Sequence, residues 1–232
     1  MPGGDDDYTK LLLHMDGADA STTFTDASRA AHGNATAGGT AQVDTAQSKF
    51  GGASLLCDGN SDYISYDDHA DWDFPGDFTI EAFIRFNSVG ANCIFCGNDY
   101  QEGWQFSWET TGGGRIQLYV ANVLRSYGAW APSTNTWYHV ACVRSGATIN
   151  LYVDGVQKAT VNPNYSDAIT SSGKLSIGRD DEYVTGWFNG WIDEFRISKG
   201  IARWTANFTP PTQAYGGTAR PGVHVGSEPA MY

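Results

Sequence analysis

Basic side chains are scarce in this chain of 232 residues: 14 Lys and Arg stand against 26 Asp and Glu, a formal net charge of −12. A phosphate backbone is held by clustered cations, so nucleic acid is excluded as an expected partner. Long apolar runs are absent too. Nothing approaches the roughly 20 residues a membrane helix needs, and no membrane insertion is expected. The opening residues MPGGDDDY lack the basic and apolar regions of a secretory signal. Cysteine is limited to Cys57, Cys93, Cys96 and Cys142. Cys93 and Cys96 have the C-x-x-C spacing of zinc and redox sites, but no second pair or nearby His pair accompanies them. In a strand, positions i and i+3 point to opposite faces, so CIFC reads as a strand carrying buried thiols. The five histidines show neither H-x-x-x-H nor H-x-H spacing, which removes the simplest zinc motifs.

Helical periodicity is also missing. Short alternating runs are separated by Gly, Asn, Asp, Ser and Pro clusters, the pattern of an all-β sandwich. FTIEAFIRF (78–86) places Phe78, Ile80, Ala82, Ile84 and Phe86 on one face, with Thr79, Glu81, Phe83 and Arg85 on the other. WQFSWE (104–109) turns Trp104, Phe106 and Trp108 inward and leaves Gln105, Ser107 and Glu109 opposite. Asp154-Gly155 predicts a two-residue hairpin, because such turns want positive φ, and Asn122 predicts another tight turn. The Gly/Ala/Thr-rich stretch 24–52 reads as loop with one weak strand. Thirteen strands, mostly hairpin-linked, predict two packed antiparallel sheets, a jelly roll. The domain spans 10–213, after an N-terminal extension at 1–9 and before a Gly/Pro-rich tail at 214–232.

What is abundant is aspartate, at 20 residues against 6 Glu. Asp favours loops and is a preferred oxygen ligand for Ca²⁺. The densest run, Asp67-Asp68-His69-Ala70-Asp71-Trp72-Asp73, reads as a solvated loop. GWIDEFRIS (190–198) poses a sharper question. Strict alternation puts Trp191, Asp193, Phe195 and Ile197 on one face, and a carboxylate among large apolar groups loses its water unless something pairs with it.

Seven segments in order, LLLHMDG (11–17), FTDAS (24–28), KFGGASLLCDGNSDYI (49–64), DWDFPGDFTIEAFIRF (71–86), TWYHVACVRSGATINLYVDG (136–155), LSIGR (175–179) and GWIDEFRISKGIARWTANFTPP (190–211), resemble the laminin-G-like jelly-roll family of the concanavalin A-like lectin/glucanase superfamily. The resemblance implies that the first and last strands lie side by side. It also implies a structural Ca²⁺ held by Asp193, with Asp16 and Asp26 at the acidic positions of the loop after strand one. The alternative for Asp193 is hydrogen bonding from turn amides, or pairing with Arg29, Arg179 or Arg196. Trp137, Trp191 and His139 match packed positions of the family.

The resemblance is specific for fold and open for function, since this fold hosts lectins, adhesion modules and glycosidases. Glycosidases of the superfamily carry paired acids in an E-x-D-x-E arrangement, and none occurs here, so the chain is expected not to be an enzyme. Sugar recognition uses aromatic faces beside carboxylates and amides. On that ground the loop residues Tyr100, Trp130, Tyr183, Trp187 and Asp180 are the expected ligand-binding set. The expected partners are glycans, other virion or surface proteins, or a second copy of the chain. The expected setting is a virion or extracellular surface, where modules with these motifs are frequent. A structural virion protein acting through protein contacts is the alternative to a recognition module.

Overall fold

Alternation over short runs, broken by residues that tolerate positive φ, produces fifteen strands in the computed structural model, which describes residues 5–159, 164–180 and 186–216. They are β1 (Thr9–Leu13), β2 (Thr36–Gly38), β3 (Gln42–Asp44), β4 (Ser54–Asp58), β5 (Tyr63–Tyr66), β6 (Phe78–Phe86), β7 (Asn92–Gly97) and β8 (Trp104–Glu109), then β9 (Arg115–Val120), β10 (Val123–Ala129), β11 (Trp137–Ser145), β12 (Thr148–Val153), β13 (Val156–Gln157), β14 (Leu175–Ile177) and β15 (Asn189–Lys199). The first sheet runs β13-β12-β11-β6-β15-β4-β3, with β1 also paired to β15. The second runs β10-β9-β8-β7-β14-β5-β2. All pairings are antiparallel, and the inner faces of the two sheets enclose one apolar core that includes Phe78, Ile80, Phe86, Phe106 and Ile177. Among the described residues no helix is long and apolar enough to cross a membrane.

The tight turns form where the sequence allows left-handed backbone. Asp154 and Gly155 have φ of 50° and 73°, and Ala121 and Asn122 have 49° and 58°. The stretch 24–52 contributes two three-residue strands, β2 and β3, where one weak strand is expected. Its low β-propensity is overridden by pairing to β5 and β4.

Two departures from simple alternation matter. In GWIDEFRIS the register slips between Asp193 and Arg196, and Glu194 takes a φ of 50°. A β-bulge inserts a residue and reverses the facing of the residues after it. Ile192, Phe195 and Ile197 therefore enter the core, while Trp191 and Trp137 are only half-buried and outside it. Arg85 covers the Trp191 ring at 4.7 Å, and the indole N–H donates to Asp44 at 2.6 Å. The single-face assignment of Trp191, Asp193, Phe195 and Ile197 is thus corrected. The second slip, between Ile94 and Cys96 in β7, brings Cys93 and Cys96 both into the core as free thiols.

The outer face of the first sheet is covered by the segment after β15. Trp204 and Phe208 stack at 3.9 Å and lie against Ala141, Val143 and Tyr152. The strap ends at Tyr215, which is 1% exposed although the sequence boundary places it in the tail. Its hydroxyl donates to Glu81 Oε2 at 2.6 Å, and its ring lies 4.0 Å from the Arg196 guanidinium. Beneath it Arg196 Nε donates to Glu81 at 2.8 Å, and His139 Nε2 donates to Glu81 at 3.1 Å. His139 is packed, as the family position implies.

Candidate functional site

The outer face of the second sheet carries a cleft of about 170 Å³ lined by Asn92, Ile94, Tyr100, Gln105, Glu109, Gln117 and Tyr119. Cross-strand registers build it in rows. Asn92 pairs with Glu109 and Glu109 with Arg115; Ile94 pairs with Ser107 and Ser107 with Gln117; Gln105 pairs with Tyr119. Facing residues on neighbouring strands lie about 5 Å apart, so every second residue of β7, β8 and β9 meets its counterpart. The opposite residues, Trp104, Phe106 and Trp108, fill the core.

The polar groups of the cleft are braced rather than loose. Arg115 pairs with Glu109 and donates through Nε to Gln117 Oε1 at 2.8 Å. Gln117 Nε2 donates to Ser107 Oγ at 3.2 Å, and the Arg115 guanidinium lies 5.0 Å from the Tyr127 ring. Gln105 Nε2 donates to Asp180 Oδ2 at 3.3 Å, and the Tyr100 amide donates to Asp180 Oδ1 at 3.3 Å. Tyr100 and Tyr119 pack with ring centroids 5.1 Å apart and are both half-buried. Asn92 Oδ1 is buried and has no hydrogen-bond partner among the described residues. A buried acceptor without a partner is costly, and a ligand hydroxyl would satisfy it.

The sequence-predicted ligand residues divide. Tyr100 lines this cleft, and Asp180, fully buried, positions Tyr100 and Gln105 beneath it. Trp130 is instead a core residue, 9% exposed, against Phe86 and Tyr138, with its carbonyl accepting from Trp108 Nε1. A bulky indole next to an apolar interior gains more from burial than a loop tip can offer. Trp187 packs near Tyr63, at 6.1 Å, and Arg179, at 5.4 Å, and does not line the cleft. Tyr183 lies outside the described residues. Reading single strands missed Asn92, Gln117 and Tyr119. The available signal was the polar face Gln105-Ser107-Glu109 opposite three aromatics; strand order, not composition, supplies its neighbours.

The proposed metal residues divide as well. β1 lies beside β15, as the resemblance implies, and His14 Nδ1 meets Glu194 Oε1 at 2.8 Å. Asp193 is fully buried; its Oδ2 accepts the amides of Lys49 and Phe50 at 2.6 and 3.0 Å. Asp193 Oδ1 has no partner among the described residues. Burial pushes the carboxyl up to about 7 against the pull of those amides, and the charges of Glu194 and Asp16 add to the rise. Burial and the Glu194 charge also raise Asp16. Asp26 differs. Its two oxygens accept from Leu12 N, Ser28 N, Ser28 Oγ and His32 N, at 2.8–3.0 Å. Those bonds fold the loop and leave Asp26 little capacity for a cation.

Residues 58–203 match the laminin G-type model of the concanavalin A-like lectin/glucanases superfamily. Among solved structures, domain 4 of AbnA, a GH43 extracellular arabinanase from Geobacillus stearothermophilus determined with arabinotriose, aligns with a TM-score of 0.64 at 18% identity, covering 84% of this chain and 93% of that one. The binding domain of Paraclostridial mosquitocidal protein 1 aligns with a TM-score of 0.62 at 15% identity, covering 85% of this chain and 50% of that one. The binding domain of botulinum neurotoxin DC, in complex with SialylT, aligns with a TM-score of 0.57 at 15% identity, covering 85% and 49%. The chain thus spans about half the length of these two toxin domains, and at such identities the likeness is one of fold. No curated protein matches in sequence. With the family match extending over more than half of its length, the chain belongs to the laminin G-like branch of the concanavalin A-like lectin/glucanases superfamily.

Proposed function

We propose that the chain is a non-catalytic saccharide-recognition module and that the cleft on β7, β8 and β9 is its binding site. The observation that carries this reading is the braced row of amide, carboxylate and phenol groups, Asn92, Gln105, Glu109, Gln117 and Tyr119, on one sheet face. Sugars present hydroxyls to planar polar side chains and apolar ring faces to aromatics, and pre-braced groups lose little entropy on binding. Among the described residues Glu109 is the one carboxylate in the lining, and it is paired with Arg115. Glycoside hydrolysis uses two carboxyl groups flanking the scissile bond, which favours binding over turnover. The AbnA domain solved with arabinotriose and the toxin domain solved with SialylT support a glycan as the ligand class. A virion or extracellular surface is the setting we infer, from the resemblance of the sequence motifs alone.

Calorimetric titration with arabino-oligosaccharides and sialylated glycans, after a broad glycan array, tests this reading. Binding by the wild-type chain that is lost in Tyr119→Ala and Asn92→Ala supports it. An empty array, or binding unchanged in both variants, overturns it.

We also propose a structural Ca²⁺ held by Asp193 and Asp16. The unpartnered Oδ1 of Asp193, buried where Asp16 and Glu194 add negative potential, fits a hard cation. Glu194 spends its oxygens on His14 and on the Tyr215 amide, so carbonyls or water would complete the shell. An ion that binds only the folded chain raises its stability. Thermal unfolding with Ca²⁺ and with chelator should differ for the wild type and coincide for Asp193→Asn; equal midpoints in the wild type refute the site.

A further inference from the structure

At the β2–β5 edge of the second sheet, away from the cleft, His32 converges with His69 and Asp71, which lie on one distant turn of the chain. His32 lies on the loop closed by the Thr25–Asn34 bridge, and its amide donates to Asp26 Oδ2 at 2.9 Å. Its ring is fixed against Trp72, at 4.8 Å, and Tyr66, at 6.4 Å. His69 precedes the short 3₁₀ turn Ala70–Trp72, and Asp71 stands within that turn. His32 Nε2 is 3.0 Å from Asp71 Oδ2, and His69 Nδ1 is 3.5 Å from the same oxygen. One ligand atom from each residue lies within 4.8 Å of the others.

We propose that His32, His69 and Asp71 form a binding site for a Zn²⁺-class dication. Zinc bonded to imidazole nitrogen and carboxylate oxygen at 2.0–2.2 Å in a tetrahedron sets neighbouring donors about 3.3 Å apart; the two short separations here bracket that distance. Two imidazoles and one carboxylate select zinc, nickel, copper or cobalt over calcium, which takes oxygen ligands. His69 Nδ1 accepts the Asp71 amide at 3.1 Å, so it carries a lone pair and no hydrogen. A metal takes over that lone pair and leaves the amide to water, at a surface where the His69 side chain is 50% exposed. His32 and His69 also line a cavity of about 230 Å³ whose rim carries Asp68; Asp67, on the same rim, is paired with Lys174 at 2.8 Å. Three protein ligands with one open position is the arrangement in which a bound ion still reaches water or an external donor.

The test is titration of the full chain with Co²⁺, followed by its visible d–d absorption, with Zn²⁺ as competitor. One equivalent of Co²⁺ should give four-coordinate bands that Zn²⁺ abolishes and excess Ca²⁺ leaves intact. Asp71→Asn and His69→Ala, each checked for native near-ultraviolet circular dichroism, should weaken binding at least about tenfold, the range seen even for residues that only support a ligand. Asp67→Asn, which removes no ligand, should retain the bands. Absence of the bands in the wild type, or wild-type affinity in either folded ligand variant, overturns the proposal. If one variant fails to fold, the other carries the test.

Discussion

Replacing Tyr215 with phenylalanine removes a single oxygen from the first sheet's outer face and should destabilise the protein far more than a tail position would. That oxygen donates to Glu81 Oε2 at 2.6 Å and lies 3.1 Å from His139 Nε2, with Glu81, His139 and Arg196 all fully buried. A hydrogen bond to a buried charged group contributes about 1.5–3 kcal/mol, and no water can replace it there. Tyr215→Ala also removes the ring that covers the Arg196 guanidinium at 4.0 Å. Truncating a buried aromatic costs about 3–5 kcal/mol, so the alanine variant should be the weaker of the two by a clear margin. For a domain of this size each kcal/mol lowers the thermal midpoint by about 2–4 °C. Urea unfolding followed by tryptophan fluorescence gives both values. The m-value should stay constant in the phenylalanine variant, since the surface exposed on unfolding is unchanged. A Tyr215→Phe variant within about 0.5 kcal/mol of the wild type, the range of ordinary surface substitutions, would show that the strap does not close on Glu81.

The same network sets an acid limb. Burial pushes the Glu81 carboxyl up, but the Arg196 guanidinium and the hydrogen bonds from His139 and Tyr215 outweigh it and hold Glu81 at about 2, below its ordinary 4.5. A folded value below the unfolded one means that the contribution is complete above pH 4.5 and is lost as pH falls toward 2. Stability measured across that window should fall in the wild type with a slope that Glu81→Gln reduces, Asp6 beside Arg203 supplying part of what remains. Gly128→Ala should lower stability by more than about 2 kcal/mol, because a Cβ there meets the Lys158 backbone, which cannot swing aside; a variant with a wild-type unfolding midpoint would contradict this. Trp130→Ala should cost about 3–5 kcal/mol, whereas Tyr119→Ala, half-buried in the cleft, should cost about 1 kcal/mol and abolish glycan binding. Paired unfolding and titration experiments separate the two, and the reverse pattern would exchange their roles.

The strand inventory was legible because alternation and turn chemistry are local. FTIEAFIRF and WQFSWE have the faces their periodicity predicts, and Asp154-Gly155 makes the hairpin its residues favour. Faces failed where a bulge intervened, since one extra residue shifts the period without changing composition. Trp191 left the core and Cys96 entered it for that reason. The candidate cleft was partly legible: Tyr100 was an expected ligand residue and Gln105 and Glu109 were placed on the face opposite the aromatics, while Trp130 was misplaced because an aromatic residue reads the same on a loop tip and under one.

Composition and pattern were enough to specify an antiparallel sandwich, because burial and backbone pairing depend on runs of a few residues. Tertiary structure alone decided what the buried charges face. Asp193 meets the Lys49 and Phe50 amides across about 140 positions of chain, Tyr215 closes over Glu81, and His32 meets Asp71 through a loop crossing. Contacts between residues that distant are set by strand order, and strand order is a property of the whole fold rather than of any segment.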